Sequence, residues 1–193
     1  SEALMRAAIR EIPDGVYTAE DEIEAVFAVD GVQPTVPIRV TVTKKGDEIE
    51  FDYTGSGRQV RGGVNCPLSV TCNSTWFTVK AITDVSIPIN QGCYRPVKIT
   101  APSGSVLNCE FPASVVSGNT ETSPRVIDLL LTALSKAVPE RVIGQSNCAA
   151  CAGIFSGDDP DRERVERTGR KLASFIDVHG GGMGARHSRD GVS

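Results

Sequence analysis

The sequence lacks the features that would place it in a membrane, outside the cell or on a nucleic acid. No apolar run approaches the roughly 18 to 20 residues that a membrane-spanning helix needs. No basic segment followed by an apolar one marks a secretory signal at its start. No cluster of lysine and arginine dominates the formal net charge of −4. These absences predict a cytoplasmic protein that has neither a membrane nor a nucleic acid as its partner.

Cysteine patterns and nucleotide-binding motifs are sparse as well. The 6 cysteines in 193 residues are too few and too unevenly spaced for a disulfide scaffold, so we expect reduced thiols. Cys148 and Cys151 have CxxC spacing, but no second pair completes a four-ligand zinc site. We interpret them as packing residues, with metal or redox chemistry as the alternative. Because no GxxxxGK[S/T] loop is present, the chain by itself is not expected to bind ATP in that manner.

The residues that are present predict a folded α+β chain, with 40% apolar and 23% charged residues. Helices are indicated over residues 2–12, 68–82 and 123–137, and strands over 16–23, 38–43, 48–53, 97–100 and 172–178. The strands at 38–43 and 48–53 are predicted to form an antiparallel hairpin. Since the strands and helices do not alternate regularly, we expect one α+β domain over residues 1–193, with a largely antiparallel β-sheet and two main packed helices.

The two main helices carry more detailed expectations. The helix at 68–82 is expected to supply apolar surface from Val70, Trp76, Phe77 and Ile82, and residues 87–92 are expected to form a loop. Ser123 is predicted to cap the other helix, with Pro124 at its first helical position.

Polar side chains are concentrated just before the 123–137 helix. Asn119, Glu121 and Arg125 bring together an amide, a carboxylate and a guanidinium. Because helix N-termini favour anions, one interpretation is that they orient a polar substrate. The other is an elaborate helix cap with a surface ion pair, and the residues alone do not separate the two.

The end of the sequence combines glycine with ionisable side chains. A predicted strand leads into a loop containing His179, Gly180, Gly181, Gly182, Gly184, Arg186, His187 and Asp190. Glycines can adopt positive φ and let backbone N–H groups approach a ligand closely. A dinucleotide-binding interpretation is weak because no amphipathic helix follows. The two histidines could share a metal or act as acid and base, or be incidental.

Seven ordered segments resemble the hydantoinase B/oxoprolinase family. They are DYTGS (52–56), QVRGGVN (59–65), IPINQGCYRP (87–96), PSGSVLN (102–108), GNTETS (118–123), HGGGMGAR (179–186) and RDG (189–191). The match runs in order from residues 13–15 onward. The family includes the B subunit of N-methylhydantoinase, the C-terminal half of 5-oxoprolinase, and subunits of acetone and acetophenone carboxylases.

The resemblance implies that this chain is an interior to C-terminal portion of a larger, multidomain B-type subunit. It implies ATP-dependent opening of a hydantoin or 5-oxoproline ring, with ATP and Mg held by a partner A-type subunit in a hetero-oligomer. Any divalent metal is implied to lie with family His and Asp residues that precede this chain. A carboxylase subunit, which joins activated bicarbonate to a ketone enolate, is the alternative. A non-catalytic assembly module is a further one.

Under this resemblance, the candidate residues receive roles. We expect the catalytic residues to be Glu121, His179 and Asp190. We expect substrate to be bound by Asn119, Arg125, Gly180, Gly181, Gly182, Gly184 and Arg186, with the glycine N–H groups and the arginine stabilising anionic oxygens. No metal ligand is expected in this chain.

Overall fold

The computed structural model describes residues 1–24, 35–147 and 151–192. In this part of the chain, six strands and five α-helices form an α+β fold, as the sequence predicts. A turn of π-helix at Gly118–Thr122, called here the 118–122 turn, directly precedes α4. The elements in chain order are α1 (Glu2–Arg10), β1 (Gly15–Glu24), β2 (Thr35–Lys45), β3 (Glu48–Asp52), α2 (Leu68–Ile82), α3 (Gln91–Tyr94), β4 (Val97–Thr100), α4 (Ser123–Leu134), β5 (Cys151–Asp158), α5 (Arg162–Thr168) and β6 (Leu172–His179).

Strands β1 to β4 form one sheet in sequential order. The pairs β1–β2 and β2–β3 are antiparallel, so the predicted hairpin is confirmed. Gly46 at the hairpin turn has φ of 62°, a backbone conformation that residues with a Cβ rarely adopt. Strand β4 joins β3 in parallel after the chain has passed through α2, since parallel strands need a long connection. The sheet is therefore largely antiparallel with one parallel edge.

The core lies between this sheet and the helices α2 and α4. Val36, Ile38, Val40 and Val42 are buried on one face of β2, in alternation with more exposed residues. Helix α4 packs against α2, β1 and β2. Its buried residues are Val126, Asp128, Leu129, Leu130, Leu131, Ala133 and Leu134. Because each large apolar side chain buried here contributes on the order of 1.5 to 3 kcal/mol, this layer is the main support of the fold.

Helix α2 has the predicted bounds but buries a different face. Ile82 is buried as expected, whereas Val70 and Trp76 are half-buried and Phe77 is 58% exposed. The buried face instead carries hydroxyl groups, from Thr71, Ser74, Thr75 and Thr78. These hydroxyls donate hydrogen bonds to main-chain carbonyls, in three cases to the residue four positions earlier. Since they are satisfied in this way, they can be buried without a large penalty.

Two helix starts also differ from the prediction. Residues 87–92 are not loop throughout, because α3 begins at Gln91. Asn90 Oδ1 caps this helix by accepting a hydrogen bond from Gly92 N at 2.9 Å. Ser123 does not cap α4, because the 118–122 turn continues directly into the helix. Ser123 itself has helical φ and ψ of −62° and −46°. Pro124 lies in the first turn, as predicted.

Strands β5 and β6 form a separate antiparallel pair, and α5 lies between them in the chain. The predicted final strand is confirmed as β6. Cys148 lies outside the described residues, so the interpretation of the CxxC pair stays a prediction. None of the helices in residues 1–24, 35–147 and 151–192 has the length and apolar character that crossing a bilayer requires.

Candidate functional site

The 118–122 turn presents two of the predicted site residues at the start of α4. Asn119 is exposed and Glu121 is half-buried. The C-terminal end of the turn is held because Thr122 Oγ1 donates a hydrogen bond to Val64 O in the core. π-Helical turns are rare and occur frequently at functional sites, so this turn is a structural reason to keep both residues as candidates.

Asn65 organises the stretch of chain against which the turn packs. Its buried side chain makes hydrogen bonds of 2.8 to 3.0 Å with main-chain atoms of Val60, Gly62 and Ser114. Its own carbonyl approaches the turn so closely that a Cβ on Gly118 would lie 2.2 Å from it. The neighbouring Cys66 Sγ donates to Gly118 O at 3.2 Å. Sequence reasoning missed this supporting role, although an amide two residues after the paired glycines Gly62 and Gly63 was a signal for it.

Glu121 has the more unusual electrostatic environment of the two. Burial raises the pKa of the Glu121 carboxyl above its ordinary value. Arg125 places its Nη1 3.4 Å from Asp21 Oδ2 of β1, so the ion pair of the alternative interpretation does not involve Glu121. Among the described residues, no hydrogen bond or ion pair engages the Glu121 carboxylate. A half-buried carboxyl of this kind can exchange a proton closer to neutral pH than an exposed one.

The glycine segment, defined as residues 180–186, lies between two other stretches of chain. Gly182 O accepts a hydrogen bond from Asn147 N at 3.0 Å on one side. On the other, Met183 exchanges two backbone hydrogen bonds with Val192, of 2.7 and 3.0 Å. The N–H of Met183 is therefore unavailable to a ligand. The N–H groups of Gly180, Gly181, Gly182 and Gly184 donate to no acceptor in the described part of the chain.

Close packing explains why glycine is needed in this segment. A Cβ on Gly184 would lie 2.4 Å from main-chain atoms of Gly144, and one on Gly181 would lie 2.0 Å from Cβ of Asn147. None of Gly180, Gly181 and Gly184 has a left-handed φ, so the positive φ that glycine permits is not used at these positions. Two of these glycines instead allow the backbone to approach residues 144–147.

A cavity of about 330 Å³ lies where the glycine segment meets α2 and α4. Phe77 and Ala81 of α2, Ile127 and Leu131 of α4, and Met183 form its apolar wall. Phe77 and Met183 are 58% and 49% exposed, so this wall is accessible to solvent. Its size and apolar lining are typical of small-molecule sites.

Four side chains give the cavity its polar character, namely Arg141, Arg186, Asp128 and Ser146. Asp128 is only 2% exposed and accepts hydrogen bonds from Ser146 N at 2.9 Å and Ser146 Oγ at 3.2 Å. The guanidinium of Arg186 forms no ion pair with any described residue. Sequence reasoning identified Arg186 but missed Asp128, although a lone acidic residue in an apolar helix was a signal for it.

The remaining ionisable candidates lie on exposed surface. His179 Nε2 is 3.0 Å from Asp177 Oδ2, because alternate residues of β6 share a face. His187 and Asp190 are exposed in and after the turn that follows the glycine segment. No ion pair or hydrogen bond among the described residues joins these groups to Glu121. Nor do the described residues include a group of three or more His, Cys, Asp or Glu placed to hold a metal.

The sheet, the α2–α4 layer and the glycine segment define an α+β unit that also occurs within larger enzymes. The structure of the ATP-dependent caprolactamase from Pseudomonas jessenii is similar, with a TM-score of 0.75 and 26% identity. The match covers 98% of this chain and 31% of the caprolactamase chain. The nucleotide-free structure of acetone carboxylase matches 100% of this chain and 26% of its own, with a TM-score of 0.76. At 16% identity, that likeness shows a shared fold.

The chain belongs to the hydantoinase B/oxoprolinase family, whose model matches residues 1–193. The resemblance drawn from its sequence segments is confirmed. 5-Oxoprolinase PfmaA from Pestalotiopsis fici is 34% identical over 187 residues, covering 91% of this chain and 13% of that protein. The chain therefore spans only a part of the length of its relatives.

Proposed function

We propose that this chain is part of the B-type subunit of an ATP-dependent hydrolase that opens a cyclic amide, such as hydantoin, 5-oxoproline or a lactam. Family membership over residues 1–193 is the observation that carries the proposal. The names of similar proteins, 5-oxoprolinase and ATP-dependent caprolactamase, support the reaction class. A partner A-type subunit would use ATP and Mg, and the complex would lie in the cytoplasm. A reducing compartment suits the free thiols of Cys66, Cys72, Cys93 and Cys109.

The chemistry explains why ATP is needed. A cyclic amide resists water because resonance stabilises its carbonyl group. Transfer of the terminal phosphoryl group of ATP to the amide oxygen, on the partner subunit, removes that resonance. Water then adds to the carbon, and the C–N bond breaks as the nitrogen takes up a proton. A second water releases phosphate from the resulting acyl phosphate and leaves a carboxylate.

Within this chain, we assign Arg186 to the negatively charged oxygen that develops at the reacting carbon. Glu121, whose pKa is raised by burial, is assigned proton transfer to the departing nitrogen. The other candidates keep their proposed roles: substrate orientation for Asn119 and Arg125, oxyanion stabilisation for the N–H groups of Gly180, Gly181, Gly182 and Gly184, and proton relay to solvent for His179 and Asp190.

The test reconstitutes the full-length subunit with its A-type partner and measures ATP hydrolysis and ring opening with 5-oxoproline, hydantoin and caprolactam. ATP hydrolysis coupled to formation of the ring-opened product supports the proposal. ATP turnover driven by acetone and bicarbonate, with none driven by cyclic amides, supports the carboxylase alternative. The same anion-stabilising groups would serve either reaction.

Variants separate catalysis from assembly. Glu121→Gln and Arg186→Met are each expected to lose more than about tenfold in kcat/KM, which corresponds to about 1.4 kcal/mol. Glu163→Gln and Arg167→Met, at exposed positions on α5, are the matched controls. If assembly and activity both survive the first two changes, this chain is an assembly module.

A further inference from the structure

We propose that the cavity between α2, α4 and the glycine segment binds a small monocarboxylate with an apolar body. The proposal rests on the proposed function only for its link to turnover, because opening an unsubstituted lactam, one of the proposed substrates, leaves a single carboxylate on a hydrocarbon chain that ends in an amine. The class of ligand itself follows from the residues that line the cavity.

The walls select an apolar body. Phe77 and Met183 line the cavity and are 58% and 49% exposed. Each side chain therefore presents apolar surface to the cavity that no other group in the described part of the chain covers. Leu131 and Ile127 of α4 add further apolar surface to the lining. Covering such surface with a hydrocarbon is favourable, and a volume of about 330 Å³ is at the small end of ligand sites.

Only one of the two arginines at the cavity is available for an anion. Arg141 pairs with Glu11 at 3.0 Å and with Glu140 at 3.4 Å. Arg186 has no ionic partner among the described residues, while its backbone N–H is fixed by a hydrogen bond of 2.8 Å to Arg189 O. A guanidinium donates two parallel hydrogen bonds to a carboxylate. Arg186 is therefore the anchor for the carboxylate.

Asp128 favours a ligand with one negative charge over a ligand with two. It lines the same cavity, is 2% exposed, and is held by the N–H and hydroxyl of Ser146. Little solvent screens a carboxylate that is so deeply buried, so its repulsion weighs more heavily against a ligand with two negative charges than against one with a single charge. A monocarboxylate thus fits better than a phosphate monoester of the same length.

Isothermal titration calorimetry tests the proposal on the full-length subunit, assembled with its A-type partner and without ATP. Hexanoate is the probe, and hexanamide and hexyl phosphate have the same hydrocarbon chain with different head groups. Hexanoate is expected to bind at least about tenfold more tightly than either. Arg186→Met is expected to remove that advantage over hexanamide, while Arg167→Met on α5 leaves it unchanged. Tighter binding of hexyl phosphate than of hexanoate overturns the proposed ligand class.

A second variant blocks the cavity from an exposed position. Ala81 is exposed on α2 and lines the cavity, so Ala81→Phe fills it without burying a larger side chain in the core. Ala7→Phe, exposed on α1, is the matched control. Loss of hexanoate binding in the first variant alone supports the site. Absence of binding, or binding that both Ala81→Phe and Arg186→Met leave intact, overturns it.

The outcome for the proposed function is separate. If the complex binds hexanoate, and both Arg186→Met and Ala81→Phe weaken that binding, yet it opens no cyclic amide, the proposed site is supported and the proposed reaction is wrong. A complex that opens cyclic amides but does not bind hexanoate keeps the reaction and loses the site.

Discussion

Arg125 pairs with Asp21, its Nη1 lying 3.4 Å from Oδ2, and this ion pair ties the start of α4 to β1. Glu121, about one turn earlier, has no cationic partner among the described residues. Burial therefore raises the pKa of Glu121 without an opposing charge to lower it. The same contact that anchors the helix leaves the candidate acid able to hold a proton.

This environment predicts the pH dependence of stability around Glu121. The folded-state pKa lies above the unfolded value, so the folded protein binds this proton more tightly. The stability that this tighter proton binding contributes is present in full below the unfolded pKa of Glu121. It is lost as pH rises through the folded pKa. Glutamine does not ionise, so the Glu121→Gln variant does not lose this stability as pH rises. At pH 7 its melting temperature is therefore expected to equal or exceed that of the parent. Ring opening is expected to fall by about 100-fold.

Thermal melts at pH 4 and pH 7 check this prediction, with Glu163→Gln as the control. A melting temperature for Glu121→Gln clearly below that of the parent at pH 7 contradicts the burial argument. Unchanged ring opening contradicts the catalytic role and leaves the burial argument intact.

The network around Asn65 predicts a large loss of stability on truncation. Asn65→Ala removes one acceptor and the donors to the carbonyls of Val60, Gly62 and Ser114, in a network that is buried at Gly62 and partly buried at the other two. Leaving such groups unpaired is expected to lower the free energy of unfolding by about 3 kcal/mol. Asn73→Ala, exposed on α2, is expected to change it by less than about 0.5 kcal/mol. Urea unfolding compares the two, and equal effects contradict the network.

The glycine segment offers a matched pair of substitutions. A Cβ at Gly184 meets main-chain atoms of Gly144 at 2.4 Å, whereas one at Gly180 meets nothing within 4 Å. Gly184→Ala is therefore expected to separate the segment from residues 144–147 and to speed amide hydrogen exchange there at least about tenfold. Gly180→Ala is expected to leave exchange unchanged. Similar exchange in both variants shows that the close approach is not what glycine provides.

The polar face of α2 gives a fourth prediction. Tyr53 OH lies 2.7 Å from Thr75 Oγ1 in the core, and burial raises the pKa of Tyr53 so that it stays protonated. Tyr53→Phe is expected to lower the free energy of unfolding by about 1 kcal/mol. Tyr17→Phe, whose hydroxyl donates to Pro13 O near solvent, is expected to lower it less. Chemical denaturation measures both, and a neutral Tyr53→Phe contradicts the proposed contribution.

Local patterns were sufficient to predict most of the fold. Alternation in β2 and β3 identified the hairpin, and helical spacing identified α2 at its observed bounds. The buried face of α2 could not be predicted in this way. Thr71 and Thr75 are polar by type, and only their hydrogen bonds to Leu107 O and Thr71 O make them core residues.

The candidate site was predictable as residues but not as an arrangement. Arg186 and Glu121 could be selected from their chemistry and their position beside glycines or before a helix. That Arg186 lies at one cavity with Asp128, and that Arg125 pairs with Asp21, depends on contacts between distant parts of the chain. Neither composition nor spacing encodes those contacts.

Ring opening by the reconstituted complex, with Arg186→Met compared against Arg167→Met, tests the central claim most directly. The unpaired guanidinium at the cavity is proposed to stabilise charge at the reacting carbon, a contribution worth about 100-fold in rate at other oxyanion sites. We predict a loss of that size in kcat for Arg186→Met and parent-like turnover for Arg167→Met. Equal turnover by the two variants, with the complex intact, would contradict the account.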